Sequence, residues 1–178
     1  MDWENMELRV SGISDDSIVD GPGMRYSIFV QGCPHHCVGC HNPQTHSYRG
    51  GTMMKLKGIM SEIRENPLLY GVTFSGGEPF DQPEALAALG RQIKLAGYHL
   101  MAYSGYTYEE LRERSVLEPA VGELLDLVDI LVDGRFEIGL RDLTLLYRGS
   151  SNQRLIDLAS MRAAGDLENV ILCKEEEL

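Results

Sequence analysis

Between residues 71 and 133 short apolar runs alternate with amphipathic stretches, and this rhythm limits the architecture of the chain more than any other feature. GVTFS at 71–75 precedes a segment from Gln82 to Ala96 in which Leu86, Leu89, Ile93 and Ala96 recur at helical spacing. Gly97 supplies a helix stop, and Tyr98 to Tyr103 reads as the next strand. Val121, Leu124, Leu125 and Val128 repeat the i, i+3, i+4, i+7 pattern, and DILVD at 129–133 reads as a buried strand. Strands separated by helices of this length predict parallel β/α units, whose ligand sites lie at the carboxyl ends of the strands.

Upstream, ELRVSGI at 7–13 and RYSIFV at 25–30 read as strands separated by the acidic, turn-rich stretch from Ser14 to Gly23. Helical character is expected from Met53 to Glu65, ending near Pro67, and RLIDL at 154–158 reads as one more strand. The segment from 136 to 153 carries no clear period. A complete eight-fold β/α barrel takes about 250 residues, and this chain has 178. The expected fold is therefore α/β: a partial, open β/α barrel of parallel strands, with residues 1–178 forming a single domain.

Sixteen Lys and Arg against 27 Asp and Glu give a net charge of −11, which repels a phosphate backbone and excludes nucleic acid as the primary partner. The opening MDWENMELRV has no apolar stretch, and no run of 18 apolar residues occurs, so neither export nor membrane insertion is expected. Three of the four cysteines share one short loop while Cys173 stands apart, which is not a disulfide framework. A reducing cytoplasm is the expected compartment.

That loop reads Gly32-Cys33-Pro34-His35-His36-Cys37-Val38-Gly39-Cys40-His41-Asn42, at the end of a strand. Its C-x3-C-x2-C spacing lets three thiolates wrap one metal centre. A structural zinc site closes with four protein ligands, and an iron–sulfur cube held wholly by protein takes four cysteines. With three, one iron of a cube keeps an open position where a substrate or cofactor binds. The competing assignment is a Cys3His zinc site completed by His35, His36, His41 or His46. Downstream, Gly76-Gly77-Glu78-Pro79 follows the strand GVTFS; alone it reads as a tight strand-to-helix turn, although a glycine pair also lets backbone approach a ligand closely.

The loop and the glycine motif together resemble the radical S-adenosylmethionine (SAM) superfamily. In that superfamily three cysteines hold a 4Fe-4S cluster, here Cys33, Cys37 and Cys40, and the open iron is chelated by SAM. By the same resemblance Gly76, Gly77 and Glu78 bind the methionine amino group of SAM, Gly39, Cys40, His41 and Asn42 contact the cofactor from the cysteine loop, and Asp133 is a candidate hydrogen-bond partner for it. Asp20-Gly21-Pro22-Gly23 before the second strand is a β-turn by itself, but in series with the cysteine loop it resembles the glycyl-radical-enzyme activases. Arg148 to Arg154 resembles a segment found in activating proteins of anaerobic ribonucleoside-triphosphate reductase.

The resemblance implies that the reduced cluster cleaves SAM to methionine and a 5'-deoxyadenosyl radical, which takes hydrogen from a glycine of the reductase large subunit. The electron is expected from a separate flavodoxin or ferredoxin, since only one cluster has enough cysteines. Alternatives are an activase of another glycyl radical enzyme, a small-molecule enzyme such as a carboxy-deazaguanine synthase, or a non-catalytic zinc module. Gly21, Gly23, Gly32, Gly39, Gly76 and Gly77 are expected together at the cluster mouth, along with Ser104-Gly105-Tyr106 and Asp133-Gly134-Arg135. Cys173 is expected to be a buried small hydrophobe, and the acidic tail a solvated end.

Overall fold

In the computed structural model, which describes residues 2–178, seven strands form one sheet. They are β1 (Glu7–Ser17), β2 (Arg25–Val30), β3 (Thr52–Lys55), β4 (Gly71–Gly76), β5 (His99–Tyr103), β6 (Ile130–Asp133) and β7 (Arg154–Asp157), in the spatial order β3-β1-β2-β4-β5-β6-β7. The four central strands β2, β4, β5 and β6 run parallel. β1 pairs antiparallel with both β2 and β3, and β7 pairs antiparallel with β6. The expectation of an all-parallel sheet is thus corrected at both edges. Residues 18–24 between β1 and β2 are too few for the crossover of a dozen residues or more that a parallel return needs, and the longer segment 134–153 between β6 and β7 contains no α-helix to form one.

Five helices accompany the sheet: α1 (Leu56–Glu65), α2 (Pro83–Leu95), α3 (Tyr108–Leu117), α4 (Pro119–Leu127) and α5 (Leu158–Ala164). Side chains alternate across a strand, and one face of the sheet is uniformly apolar. Leu8, Tyr26, Ile28, Val72, Phe74, Leu100 and Leu131 pack there against Leu56, Ile59, Leu86, Leu89, Ile93 and Leu124 of the helices. The alternate residues, Arg25, Ser27 and Phe29 on β2, Thr73 and Ser75 on β4, and His99, Met101 and Tyr103 on β5, define a second face that is far more polar. This polar face carries the chemistry.

Three local readings change. The helix expected from Met53 begins at Leu56, because Thr52 to Lys55 pair with Val10 to Glu7 and are drawn into an edge strand. α3 has almost no apolar stripe and buries only Tyr108 and Leu111, and it is started by a reciprocal capping box between Thr107 and Glu110. The connection between β1 and β2 lies at the amino end of β2, since β1 arrives antiparallel. Gly21 and Gly23 therefore sit against Arg25, Met101 and Tyr70, at the opposite end of the sheet from the cysteine loop.

That turn folds over the polar face as a plug. Thr73 Oγ1 donates to the Asp20 carbonyl at 2.8 Å, and Arg25 Nη1 donates to the Pro22 carbonyl at 2.9 Å.

Candidate metal centre

β2 ends at Val30 and the chain passes directly into the cysteine loop. Gly32 N donates to the Thr45 carbonyl at 2.7 Å and Cys33 N to the His46 carbonyl at 3.2 Å, which folds the loop back on its own base. His36 takes a left-handed conformation (φ +49°) that turns the chain between Cys33 and Cys37. Cys40 N then donates to the Cys37 carbonyl at 3.1 Å, and Asn42 N to Cys40 Sγ at 3.4 Å.

All three cysteines line one cavity of about 140 Å³ whose base is formed by Gly76, Ser104 and Gly134, at the carboxyl ends of β4, β5 and β6. A second cavity of about 460 Å³ adjoins it over the polar face and reaches Asp20 and Phe29. His41, Asn42, Ser75, Tyr103, Phe136 and Gln153 line both, so the two spaces share a wall.

The glycine pair explains how these ends meet. A Cβ on Gly77 would collide with the Gly32 carbonyl oxygen, and Gly76 adopts φ +89° against the backbone of Phe29. The close approach allows Gly77 N to donate to the Val30 carbonyl and Glu78 N to the Gly32 carbonyl, each at 2.8 Å. The turn after β4 is thereby bonded to the base of the cysteine loop.

Glu78 itself is turned inward. Its carboxylate has no exposure and accepts from Ser104 Oγ (2.9 Å), Gly105 N (2.9 Å), Phe80 N (3.0 Å) and His35 Nε2 (2.8 Å). Four protein donors thus surround the carboxylate. Asp133 is similarly committed. Its oxygens accept from Arg154 Nε at 3.0 Å and Nη2 at 2.5 Å and from Tyr108 N at 2.7 Å, so its side chain ties β6, β7 and α3 together. Its neighbour Gly134 lines the cavity instead. Gly39 packs against Ile138 and Phe136, whereas Cys40, His41 and Asn42 face the cavity.

The histidines bear on the fourth-ligand question. Arg135 Nε donates to His35 Nδ1 at 3.2 Å, which leaves the other ring proton on Nε2 for Glu78; both nitrogens are occupied. His41 packs its ring against Phe136 with centroids 5.1 Å apart. His46 lines the cavity, and its Nε2 is buried with no hydrogen-bond partner.

Among the described residues no three His, Cys, Asp or Glu side chains converge closely enough to hold a single metal ion. The three thiols instead share the lining of one cavity. Burial pushes the Cys33 thiol up to about 11 and raises the Cys37 thiol as well. A thiolate there needs a neighbouring positive charge, which iron supplies. The three thiols and the cavity at the strand ends fit a 4Fe-4S cluster, whereas the partnerless His46 Nε2 is the donor that a Cys3His zinc site would use.

Residues 136–153, left without assignment above, supply the far wall. Gln153 Oε1 accepts from Gly149 N at 2.8 Å, and its Nε2 donates to the Gly134 carbonyl at 3.0 Å, so one side chain folds the loop and binds it to the end of β6. Arg148 ion-pairs with Glu175, so the acidic tail is partly engaged. A single polar side chain in a loop leaves no periodic signal, and neither Gln153 nor the doubly bonded His35 is legible from spacing. Cys173 is half-buried, donates from its backbone to the Leu155 carbonyl at 2.9 Å, and lines neither of these cavities.

An open iron–sulfur loop at the carboxyl ends of parallel strands defines the class, and a family model described as a 4Fe-4S single cluster domain matches residues 19–156. The chain is 34% identical over 144 residues to the anaerobic ribonucleoside-triphosphate reductase-activating protein of Salmonella typhimurium, covering 76% of this chain and 90% of that one. The proteins of the same name from Escherichia coli K12 and Enterobacteria phage T4 are each 33% identical over 144 residues, covering 76% and 77% of this chain and 90% and 86% of theirs. The chain belongs to the family of anaerobic ribonucleoside-triphosphate reductase-activating proteins.

Proposed function

We propose that this chain activates an anaerobic ribonucleoside-triphosphate reductase by radical SAM chemistry, with residues 1–178 acting as one radical SAM domain built on an open, partial β/α barrel. The observation that carries this reading is the pairing of two adjoining cavities: three thiols line the smaller one, and the larger one lies beside it along the polar face. Cys33, Cys37 and Cys40 hold the cluster. When bound, the 4Fe-4S cluster and SAM supply reductive cleavage of SAM and a 5'-deoxyadenosyl radical that takes hydrogen from a glycine of the reductase large subunit.

The chain's own residues bind, orient and enclose. The half-buried turn at Gly76 and Gly77 lines the cavity and lets the amino acid part of SAM approach without Cβ interference, and Gly39, Cys40, His41 and Asn42 shape the rim of its site. Glu78 and Asp133 act from behind the surface, holding the strand ends that present Gly105 and Gly134. Phe136 and Tyr103 exclude water where the two cavities adjoin. The Cys173 thiol lies apart from the site, so the reading assigns one cluster and an external electron donor such as flavodoxin or ferredoxin. Among the described residues no helix is long and apolar enough to cross a membrane.

The test is anaerobic reconstitution followed by incubation with the reductase large subunit, SAM and a one-electron reductant. A SAM-dependent glycyl EPR signal on the reductase is the expected result. A colourless protein with one zinc per chain and no sulfide, or turnover of a small substrate without any partner, would overturn the reading.

A further inference from the structure

One imidazole joins four strand ends. His35 leaves the cysteine loop after β2, its Nε2 donates to Glu78 beyond β4 at 2.8 Å, and its Nδ1 accepts from Arg135 beyond β6 at 3.2 Å. Its ring meets Tyr106, beyond β5, edge-on with centroids 4.5 Å apart. Gly105 leaves room for it, since a Cβ there would run into the imidazole. The His35 side chain is 4% exposed and that of Glu78 is wholly buried.

Electrostatics give the chain of contacts a direction. Glu78 is a buried carboxylate whose other donors are a hydroxyl and two backbone amides. Among these contacts its connection to a positive charge runs through the imidazole to the Arg135 guanidinium. A buried anion is costly unless it is hydrogen-bonded and compensated, so the polarised series Glu78, His35, Arg135 holds the turn after β4 against the cysteine loop.

We infer that His35 is a positioning residue which keeps the SAM-facing backbone of Gly76 and Gly77 in register with the loop bearing Cys33 and Cys37. The inference rests on the radical SAM reading above. Replacing the Nε2–H donor leaves Glu78 Oε2 with Gly105 N alone and cuts the link to Arg135. The cysteines remain, so cluster binding survives while SAM no longer meets its site in the correct place.

The experiment compares His35→Phe, His35→Gln and wild type as reconstituted holoprotein, reading iron and sulfide content, SAM dissociation constant and the change in the reduced-cluster EPR spectrum on adding SAM. His35→Phe keeps the ring volume; it is expected to hold iron near the wild-type level, to bind SAM about 10- to 100-fold more weakly and to lose the SAM-induced spectral change. His35→Gln places an amide donor near the Nε2 position and is expected to recover most of both. SAM binding by His35→Phe equal to wild type overturns the inference. So does loss of iron in step with SAM in both variants, which is the signature of a merely structural role. If His35→Phe does not fold, the exposed Arg135→Met carries the test: weaker SAM binding at full iron supports the inference and an unchanged constant overturns it. A wild-type protein that shows no SAM response would instead overturn the activase reading, and this inference with it.

Discussion

At the amino end of the parallel strands, Arg25 is fully buried and its guanidinium donates to Thr73 Oγ1 at 2.6 Å, the Val72 carbonyl at 2.7 Å and the Pro22 carbonyl at 2.9 Å. At the carboxyl end of the same strands, three thiols surround a cavity and His46 Nε2 has no partner. At the first end the buried guanidinium is satisfied by protein groups, and the cavity of about 780 Å³ that opens beside it, lined by His99, Asp129 and Asp157, holds no converging thiols. The second has donors and space whose complement is a ligand. Where a sheet satisfies its own polar groups it is building stability, and where it leaves them converging on a cavity it is building a site.

Removing a thiol tests the second end most severely. Alanine at Cys33, Cys37 or Cys40 should abolish iron binding and reductase activation, whereas Cys173→Ala should retain full iron; metal and sulfide analysis of the reconstituted proteins checks both. Next in size, Gly77→Ala forces the turn after β4 away from the Gly32 carbonyl. It should lose most of its SAM binding and much of its iron, measured by the same assays.

Arg25→Ala attacks the amino end. It removes a buried side chain and strands the Thr73, Val72 and Pro22 acceptors, and should lower stability by roughly 2 to 4 kcal/mol in urea unfolding while leaving the ratio of SAM to iron unchanged. A large loss of SAM binding in a variant that still folds would break the division between the ends.

The smallest effect is a pH dependence at that same end. Burial, then the neighbouring Arg25, pushes the His99 imidazole down to about 4, so it is neutral in the folded protein while the unfolded chain takes up a proton below its ordinary value near 6.5. The unfolded state then binds more protons, so stability is complete above pH 6.5 and is lost as pH falls toward 4. With the ring partly exposed the loss should be about 1 to 2 kcal/mol. Urea unfolding of His99→Gln at pH 7 and pH 4.5 should show a flatter slope than wild type.

The central β/α units and the cysteine loop were legible in the sequence because each leaves a local signal: Leu86, Leu89 and Ile93 at helical spacing, and thiols at a fixed interval. The edges were not. Thr52 to Lys55 become a strand through pairing with β1, a long-range contact that four residues cannot announce. The Asp20 to Gly23 turn was read toward the cluster because its place depends on the direction of β1, which hydrophobic pattern does not encode. Within the site, Glu78 and Asp133 were placed by the sequence at the ends of β4 and β6, where the structure also has them. Their orientation is decided by partners 21 to 43 positions away: Ser104 and His35 for one, Arg154 and Tyr108 for the other. The T-x-x-E pattern at 107–110 was the available sign of α3.

The hydrophobic core described above runs from Leu8 to Met161, and among the described residues no fully buried member of it comes from 31 to 53. The metal-bearing loop is laid onto a core that closes without it. A small zinc domain folds only when its ion arrives; here the chain can be folded first and loaded afterwards. Damage to the cluster by oxygen would then empty a loop rather than unfold a protein, and the same molecule could be refitted with iron and sulfide and returned to use.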